Sequence, residues 1–179
     1  VILFVGQLEI NKGIWDLVKS IKSISKKNPN ILLKIAGNGS LRKDLEEYVK
    51  DEKLDQSVKF LGRVDNLQDL YKECSFLVIP SMIQESFGLV TAEAMFNSRA
   101  VIGSNRGATP WLIKNNETGL IFDPEENNLS DKIIELFGNK TKLKKYGVAG
   151  RKRILEITDI DNIVLSTIQV YKELDQNVK

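Results

Sequence analysis

The sequence predicts an α/β fold, a Rossmann-like doubly wound parallel sheet of about six strands with helices on both faces. The first observation is that six short apolar runs alternate with segments whose apolar residues recur at helical spacing. This alternation is typical of parallel strands joined by right-handed helical crossovers. The second observation is that glycine lies at one predicted strand exit after another. The third is the length, because 179 residues suit a single domain, residues 1–179.

The first predicted strand, residues 1–5, is a short, continuous apolar run, which is typical of a strand buried on both faces of a sheet. The first run ends at Gly6, the third at Gly62 and the fifth at Gly103. In chain order, the strands are expected at residues 1–5, 31–36, 58–61, 76–79, 100–102 and 119–122.

The predicted helices have apolar residues three or four positions apart. After the first strand, Ile14, Leu17, Val18 and Ile21 follow this spacing, and the break around Pro29 ends the helix. In chain order, helices are expected from residue 11 to that break and then at residues 41–53, 66–73, 89–96, 109–114, 129–137, 140–147 and 160–174.

Composition excludes several classes of function. The apolar content of 42% is that of an ordinary globular chain, and a net charge of +2 gives no electrostatic case for binding nucleic acid. The chain has no histidine, so histidine-based catalysis is excluded, and the single cysteine, Cys74, excludes an internal disulfide and is expected in the core. The sequence contains no run of 18 apolar residues that could span a membrane. Because a single cysteine suits a reducing compartment, we expect a cytoplasmic protein.

The most informative segment covers residues 80–95, where a predicted strand leads through Ser86, Phe87 and Gly88 into a helix. The first N–H groups of a helix have no intrahelical partner and favour an anion. Glu85 and Glu93 flank this turn, and carboxylates suit hydroxyl groups rather than phosphate. A ligand with phosphates in its middle and hydroxyls at both ends, such as a nucleotide sugar, fits this pattern.

Ligands of doubly wound folds bind outside the carboxyl ends of the strands. The predicted exits are residues 6–7, 37–39, 62–64, 81–88 and 103–107, and each contains glycine. Glycine at one exit often only ends a strand. Five glycine-containing exits at one edge favour a ligand crevice.

These motifs, in this order and spacing, resemble the C-terminal, donor-binding domain of the retaining family-4 (group 1) glycosyltransferases with the GT-B fold. The motifs that carry the resemblance, over residues 1–137, are Gly6-Gln7-Leu8, Lys12-Gly13, Ala36-Gly37-Asn38-Gly39, Phe60-Leu61-Gly62, Pro80-Ser81, Glu85-Ser86-Phe87-Gly88, Glu93-Ala94-Met95 and Glu117-Thr118-Gly119-Leu120-Ile121. Because the chain starts with Val1 inside a predicted strand, we expect an excised domain that lacks the family's N-terminal acceptor domain.

The resemblance implies a role for each site residue. Glu85 would face hydroxyls of the transferred sugar, and Lys12 would neutralise phosphate charge as the leaving group departs. Glu93 would accept hydrogen bonds from the ribose. The remaining residues implied in substrate binding are Gly6, Gln7, Gly37, Asn38, Arg63, Val64, Ser86, Phe87, Gly88 and Leu89, of which Phe87 to Leu89 would hold the diphosphate through backbone N–H groups and Arg63 and Val64 would lie at the nucleobase.

Two positions depart from the family pattern. Gln7 stands where an arginine is usual, which removes a bidentate cation from the diphosphate site, and Arg63 or Arg106 are the candidates to compensate. Trp111 stands where the family commonly has glutamate, and we expect it to change local packing more than chemistry.

The implied reaction is retaining glycosyl transfer without metal or cofactor, with a nucleoside-diphosphate sugar, by family habit a UDP-sugar, as donor. The acceptor would be a glycan or glycolipid bound by the missing N-terminal domain, which could also attach the protein peripherally to the inner membrane face. Polysaccharide or glycolipid assembly is the expected pathway. This domain alone should bind donor weakly and transfer nothing. The nearest acidic pair that could hold a metal, Asp159 and Asp161, is better interpreted as the N-cap of the last helix.

Two alternative functions remain open, and a third is excluded. A non-catalytic, transferase-like partner subunit is suggested by Gln7 and Trp111, whereas the presence of Lys12, Glu85 and Glu93 argues against it. A dinucleotide-binding dehydrogenase lacks its Gly-x-Gly-x-x-Gly after the first strand. A sugar epimerase of similar fold has no support from the Glu-Ser-Phe-Gly turn.

Overall fold

A computed structural model describes residues 1–177 and contains one six-stranded parallel sheet of order β3-β2-β1-β4-β5-β6, with helices on both faces. The predicted fold class is therefore confirmed. The strands are β1 (Ile2–Val5), β2 (Leu33–Ala36), β3 (Val58–Gly62), β4 (Phe76–Ile79), β5 (Ala100–Ser104) and β6 (Gly119–Phe122). The helices are α1 (Ile14–Ser25), α2 (Arg42–Asp51), α3 (Gln68–Glu73), α4 (Leu89–Phe96), α5 (Thr109–Leu112), α6 (Leu129–Leu136), α7 (Lys140–Ile157) and α8 (Ile160–Asn177).

The strand order reverses between β1 and β4. The chain first builds outward from β1 to β2 and β3, and then returns to place β4 on the other side of β1. β1 pairs with β2 over four residues, but with β4 over only two, Ile2 with Phe76 and Leu3 with Leu77. The two central strands therefore part towards their carboxyl ends, where folds of this class bind ligands.

β4 and β5 are buried throughout, whereas the edge strand β3 exposes Lys59 and Leu61, and the sheet separates two apolar clusters. Ile2 and Phe4 of β1 point into the larger cluster, with α1, α2 and α6, whereas Leu3 points into the smaller one, with α3, α4 and α5. Cys74 is 1% exposed in the smaller cluster, as expected of a core residue. Its burial raises the pKa of the thiol to about 11.

The helix expected at residues 140–147 was predicted too short. The structure continues α7 to Ile157, with Gly147 in its interior. A Cβ at Gly147 would lie 2.1 Å from the carbonyl oxygen of Ser98, so this glycine allows the helix to approach the α4–β5 connection closely and does not end the helix. Other element ends differ from the predictions by at most three residues.

The final helix begins as predicted at Ile160. The side-chain oxygen Oδ1 of Asp159 accepts hydrogen bonds from the backbone N–H groups of Asp161 at 3.0 Å and Asn162 at 3.4 Å, which confirms Asp159 as the cap.

Apolar side chains of α8 are exposed, for example Ile160 at 71% and Leu165 at 64%. Within residues 1–177, none of the helices combines the length and the apolar character that crossing a bilayer requires.

Candidate functional site

A hollow of about 700 Å³ lies where the carboxyl ends of β1 and β4 part. Eight of the predicted site residues line it, namely Gly6, Gln7, Lys12, Glu85, Ser86, Phe87, Gly88 and Leu89. They come from the exits of two strands that are adjacent in the sheet but more than 70 residues apart in the chain. The topology therefore brings these residues to one place.

Lys12 and Glu85 form an ion pair in this hollow. The Nζ of Lys12 donates a hydrogen bond to Oε1 of Glu85 at 2.7 Å, and the Oγ of Ser81 donates to the same oxygen at 3.1 Å. The two charged side chains are 23% and 28% exposed. A ligand anion placed here would compete with Glu85 for the ammonium group.

The loop that carries Lys12 is packed directly against the exit of β4. Gly13 has a φ of +66°, and a Cβ there would lie 1.9 Å from the carbonyl oxygen of Pro80. The backbone N–H of Met82 also donates to the carbonyl of Asn11 at 2.8 Å. Only glycine satisfies both the backbone conformation and the close approach, so Gly13 fixes Lys12 beside the loop of Glu85.

The loop that carries Glu85 is supported from the exit of β5. Gly107 has a φ of +55°, and a Cβ there would lie 2.4 Å from the backbone nitrogen of Glu85, while the N–H of Ala108 donates to the Glu85 carbonyl at 2.9 Å. Below it, the buried Oγ of Ser104 donates to the carbonyl of Ser81 at 2.6 Å. The sequence predicted that residues 103–107, after the fifth strand, line the crevice, but not that they support the loop of Glu85. Gly107 was the available signal for this support.

The N-terminus of α4 forms one wall of the hollow. The helix begins directly after Gly88, no side chain caps it, and its first-turn residues Leu89, Val90 and Thr91 line the space. The first N–H groups of a helix have no intrahelical partner and lie at the positive end of its dipole. This wall can therefore bind an anion beside Lys12.

A second hollow of about 390 Å³ adjoins the first and shares Gly6 and Gln7 with it. It contains the predicted residues Gly37, Asn38, Arg63 and Val64. Arg63 forms an ion pair with Asp65 at 3.1 Å, but both side chains are almost fully exposed, so the pair is weak and the guanidinium can move.

Glu93 lies outside these two hollows. It lines a third, of about 510 Å³, which shares Phe87 and Leu89 with the first. The hydroxyl of Tyr71 on α3 donates to Oε2 of Glu93 at 2.9 Å. The sequence predicted Tyr71 only as an inward residue of its helix and missed this contact. Burial, assisted by the hydrogen bond to Glu93, raises the pKa of Tyr71 above its usual range.

The structure also shows where the two departures from the family pattern, Gln7 and Trp111, lie. Gln7 is exposed and lines the first two hollows. Arg106, a candidate to compensate for Gln7, forms an ion pair with Glu125 at 2.5 Å. The indole of Trp111 packs against the ring of Phe87, with 6.2 Å between the ring centres. Trp111 therefore packs beside the start of α4, and a weaker effect on chemistry than on packing stays a prediction.

Residues 1–177 contain no group of three or more acidic or cysteine side chains that could hold a metal ion. Metal independence of the reaction stays a prediction.

Comparison with known proteins adds sequence relatives. The family model for group 1 glycosyl transferases matches residues 1–153. The chain is 33% identical over 175 residues to an uncharacterized glycosyltransferase of Methanocaldococcus jannaschii, which covers 96% of the chain and 48% of the relative. It is 31% identical over 174 residues to a Campylobacter jejuni N-acetylgalactosaminyltransferase that acts on an undecaprenol-linked glycan, covering 97% of the chain and 48% of the relative. The chain spans about half the length of the curated relatives it matches.

Solved structures share the fold. Sucrose-phosphate synthase of Thermosynechococcus elongatus superimposes with a TM-score of 0.80 at 30% identity, covering 97% of this chain and 45% of that one. Staphylococcus aureus TarM gives 0.85 at 24% identity over 95% of this chain and 35% of that one. The C-terminal domain of LpcC, a group 1 glycosyl transferase of Francisella tularensis, gives a TM-score of 0.76 at 24% identity, covering 88% of this chain and 85% of that one.

The named sequence relatives are transferases, so they do not support a non-catalytic partner subunit. The family match covers most of the chain, and the structural neighbours are GT-B glycosyltransferases. This chain belongs to the group 1 glycosyltransferase family and has the fold of the C-terminal half of a GT-B enzyme.

Proposed function

We propose that this chain is the donor-binding domain of a retaining glycosyltransferase, which moves a sugar from a nucleoside-diphosphate sugar to an acceptor hydroxyl. The observation that carries the proposal is the Lys12–Glu85 pair at the uncapped N-terminus of α4, inside the 700 Å³ hollow. A cation and a helix N-terminus suit a diphosphate, and a carboxylate beside them suits the sugar hydroxyls.

We assign the four parts of such a donor to the three adjoining hollows. The diphosphate would lie between Lys12 and the first turn of α4, with the transferred sugar at Glu85. The nucleobase would lie in the second hollow, at Arg63 and Val64, and the ribose near Glu93. Relatives of the same fold support uridine nucleotides, since TarM was solved with UDP, Anabaena HepE with UDP and glucose, and the pneumococcal O-GlcNAc transferase GtfA with UDP and GlcNAc.

In the proposed reaction, the bond between the anomeric carbon and the diphosphate oxygen breaks, and its electron pair leaves with the diphosphate. Lys12 and the N–H groups at the start of α4 stabilise the charge that grows on the phosphate. These groups would supply the positive charge without a metal ion. The sugar acquires oxocarbenium character beside Glu85, and the acceptor hydroxyl attacks from the face that the diphosphate leaves, which retains the configuration. The hydroxyl proton passes to the departing diphosphate oxygen.

The acceptor would be a glycan or glycolipid bound by the rest of a longer protein. The Campylobacter relative is named for a lipid-linked glycan acceptor, and a Mycobacterium tuberculosis relative at 27% identity is a glycogen synthase, so both polysaccharide and glycolipid assembly have support. We place the enzyme in the cytoplasm, and the rest of the protein is the part that could attach it peripherally to the inner membrane face. The 179-residue chain by itself should bind donor and transfer nothing.

The test is a titration of this chain with UDP, GDP and ADP, followed by the sugar derivatives of the nucleotide that binds. We expect one nucleotide to bind saturably, Lys12→Ala to weaken it by roughly 10- to 100-fold because a charge-assisted hydrogen bond is lost, and Gln7→Arg to tighten it by roughly tenfold. Lys43→Ala, at an 85% exposed surface lysine, is the matched control and should change nothing. Failure of all three nucleotides, or equal binding by Lys12→Ala and the parent chain, would overturn the donor site.

A further inference from the structure

Tyr71 is a buried residue that reaches an exposed one. Its side chain is 2% exposed in the smaller core cluster, yet its hydroxyl donates to Oε2 of Glu93, which lies on the surface of α4. The hydrogen bond joins α3 to α4 across 22 residues of sequence. A core residue thus holds one oxygen of the Glu93 carboxylate, while the carboxylate itself is exposed to solvent.

Among the described residues, Tyr71 is the side chain that hydrogen-bonds the Glu93 carboxylate, and no ion pair within 4.0 Å involves Glu93. Tyr71 uses Oε2, which leaves Oε1 free to accept a hydrogen bond from a ligand. The raised pKa of Tyr71 keeps its hydroxyl protonated, so it stays a donor at the pH at which proteins work.

The surroundings of the pair determine which part of a ligand it would meet. Tyr71 and Glu93 line the third hollow, whose walls at Phe87 and Leu89 are also walls of the first hollow. Leu67 joins the third hollow to the second. The carboxylate therefore lies beside the passage from the diphosphate region to the nucleobase region, where a nucleotide has its ribose.

We propose that Tyr71 is a positioning residue that fixes the Glu93 carboxylate to recognise the vicinal hydroxyls of ribose, so that the pair makes the site selective for ribonucleotides. This inference rests on the proposed donor site. A carboxylate that is free to rotate loses side-chain entropy when it binds a diol, whereas one already held by a hydrogen bond loses less.

The test compares two ligands, UDP and 2′,3′-dideoxy-UDP, on three versions of the chain. We expect the parent chain to prefer UDP by roughly tenfold or more, since the diol makes hydrogen bonds to a charged acceptor. Tyr71→Phe should reduce this preference by roughly threefold or more while leaving the affinity for dideoxy-UDP within about twofold. Tyr146→Phe, at a 3% exposed tyrosine in the larger cluster, is the control and should keep the parent preference.

The preference is a ratio measured on one sample, so a variant that folds only in part still gives a valid result. A Tyr71→Phe chain that loses affinity for both ligands equally would show a merely structural role and overturn the proposal. So would an unchanged preference. If the parent chain binds both ligands equally well, Glu93 does not contact the ribose and the inference falls with that part of the donor site; if it binds neither, the donor site itself is wrong.

Discussion

Glu85 and Glu93 lie eight residues apart in the chain, but their hydrogen-bond partners differ in charge and burial. Glu85 sits in a loop and pairs with the charged, partly exposed Lys12, whereas Glu93 sits on a helix and accepts from the neutral, buried Tyr71. An exposed ion pair stabilises a fold by about 0–1 kcal/mol and exchanges readily for other charges. A hydrogen bond from a core residue does not exchange in this way. Lys12 can therefore exchange Glu85 for another anion, whereas Tyr71 keeps Glu93 in place.

The largest effect on stability is expected from removing the support of the Glu85 loop. In Gly107→Ala, the new Cβ would lie 2.4 Å from the Glu85 backbone nitrogen at a φ of +55°, so we expect the free energy of unfolding to fall by about 3 kcal/mol or more. Urea unfolding measures this. Gly138→Ala is the matched control, because its φ is also positive but no atom lies within 4 Å of the new Cβ, and it should lose only about 1 kcal/mol. Equal losses would mean that the contact with Glu85 is not tight.

The burial beneath Glu93 can be tested through Cys74, whose Sγ lies 3.5 Å from the carbonyl oxygen of Tyr71. Burial raises the thiol pKa from 9.0 to about 11, so the folded state keeps a proton that the unfolded state loses. Stability from this group is fully present below pH 9 and is lost as the pH rises to about 11, by about 2 kcal/mol. We expect the parent chain to lose this much more stability than Cys74→Ala between pH 8 and 11. Parallel pH profiles of the two chains would contradict the burial.

The Tyr71 hydrogen bond itself should have a smaller effect on stability. Tyr71→Phe removes one donor to a charged acceptor, but water can reach the exposed Glu93 carboxylate and replace it. We therefore expect a loss of about 1 kcal/mol in thermal or urea unfolding. A loss above about 3 kcal/mol would instead indicate that the phenol packs in the core in a way the phenylalanine ring cannot reproduce.

The smallest effect is expected at the Lys12–Glu85 pair. Without ligand, Glu85→Gln should change the free energy of unfolding by less than about 1 kcal/mol, since both partners are partly exposed. Its effect should appear in ligand binding, where UDP affinity rises or stays level because Lys12 no longer has a competing carboxylate. A fall in UDP affinity in Glu85→Gln, measured by titration, would show that Glu85 holds Lys12 in its binding position rather than competing for it.

Much of the fold and the composition of the site followed from local pattern. The short apolar runs and their exits were sufficient because the carboxyl ends of parallel strands meet at one edge, so residues after β1 and β4 had to converge. The same reasoning failed at Gly147. A glycine that follows a helical pattern commonly marks the end of the helix, so the pattern predicted that the helix ends at Gly147. The close approach to Ser98 explains why α7 instead continues through this glycine.

The partners of the two glutamates could not be predicted. Lys12 meets Glu85 across 73 residues because a loop packs against Pro80, and Tyr71 meets Glu93 because α3 and α4 contribute to the same apolar cluster. Both contacts depend on the packing of elements rather than on spacing within one element. In sequence, an inward tyrosine of a helix is indistinguishable from an ordinary core residue.

The parting of β1 from β4 has a consequence for amide hydrogen exchange. Central strands of a sheet are normally the slowest part of a protein to exchange, since their N–H groups open only when the whole fold does. Here the ladder between the two central strands stops after Leu3 and Leu77, and Phe4, Val5 and Ile79 border the hollow. The middle of the sheet should therefore contain amides that exchange faster than those of β2 and β5, and a bound nucleotide should slow them first.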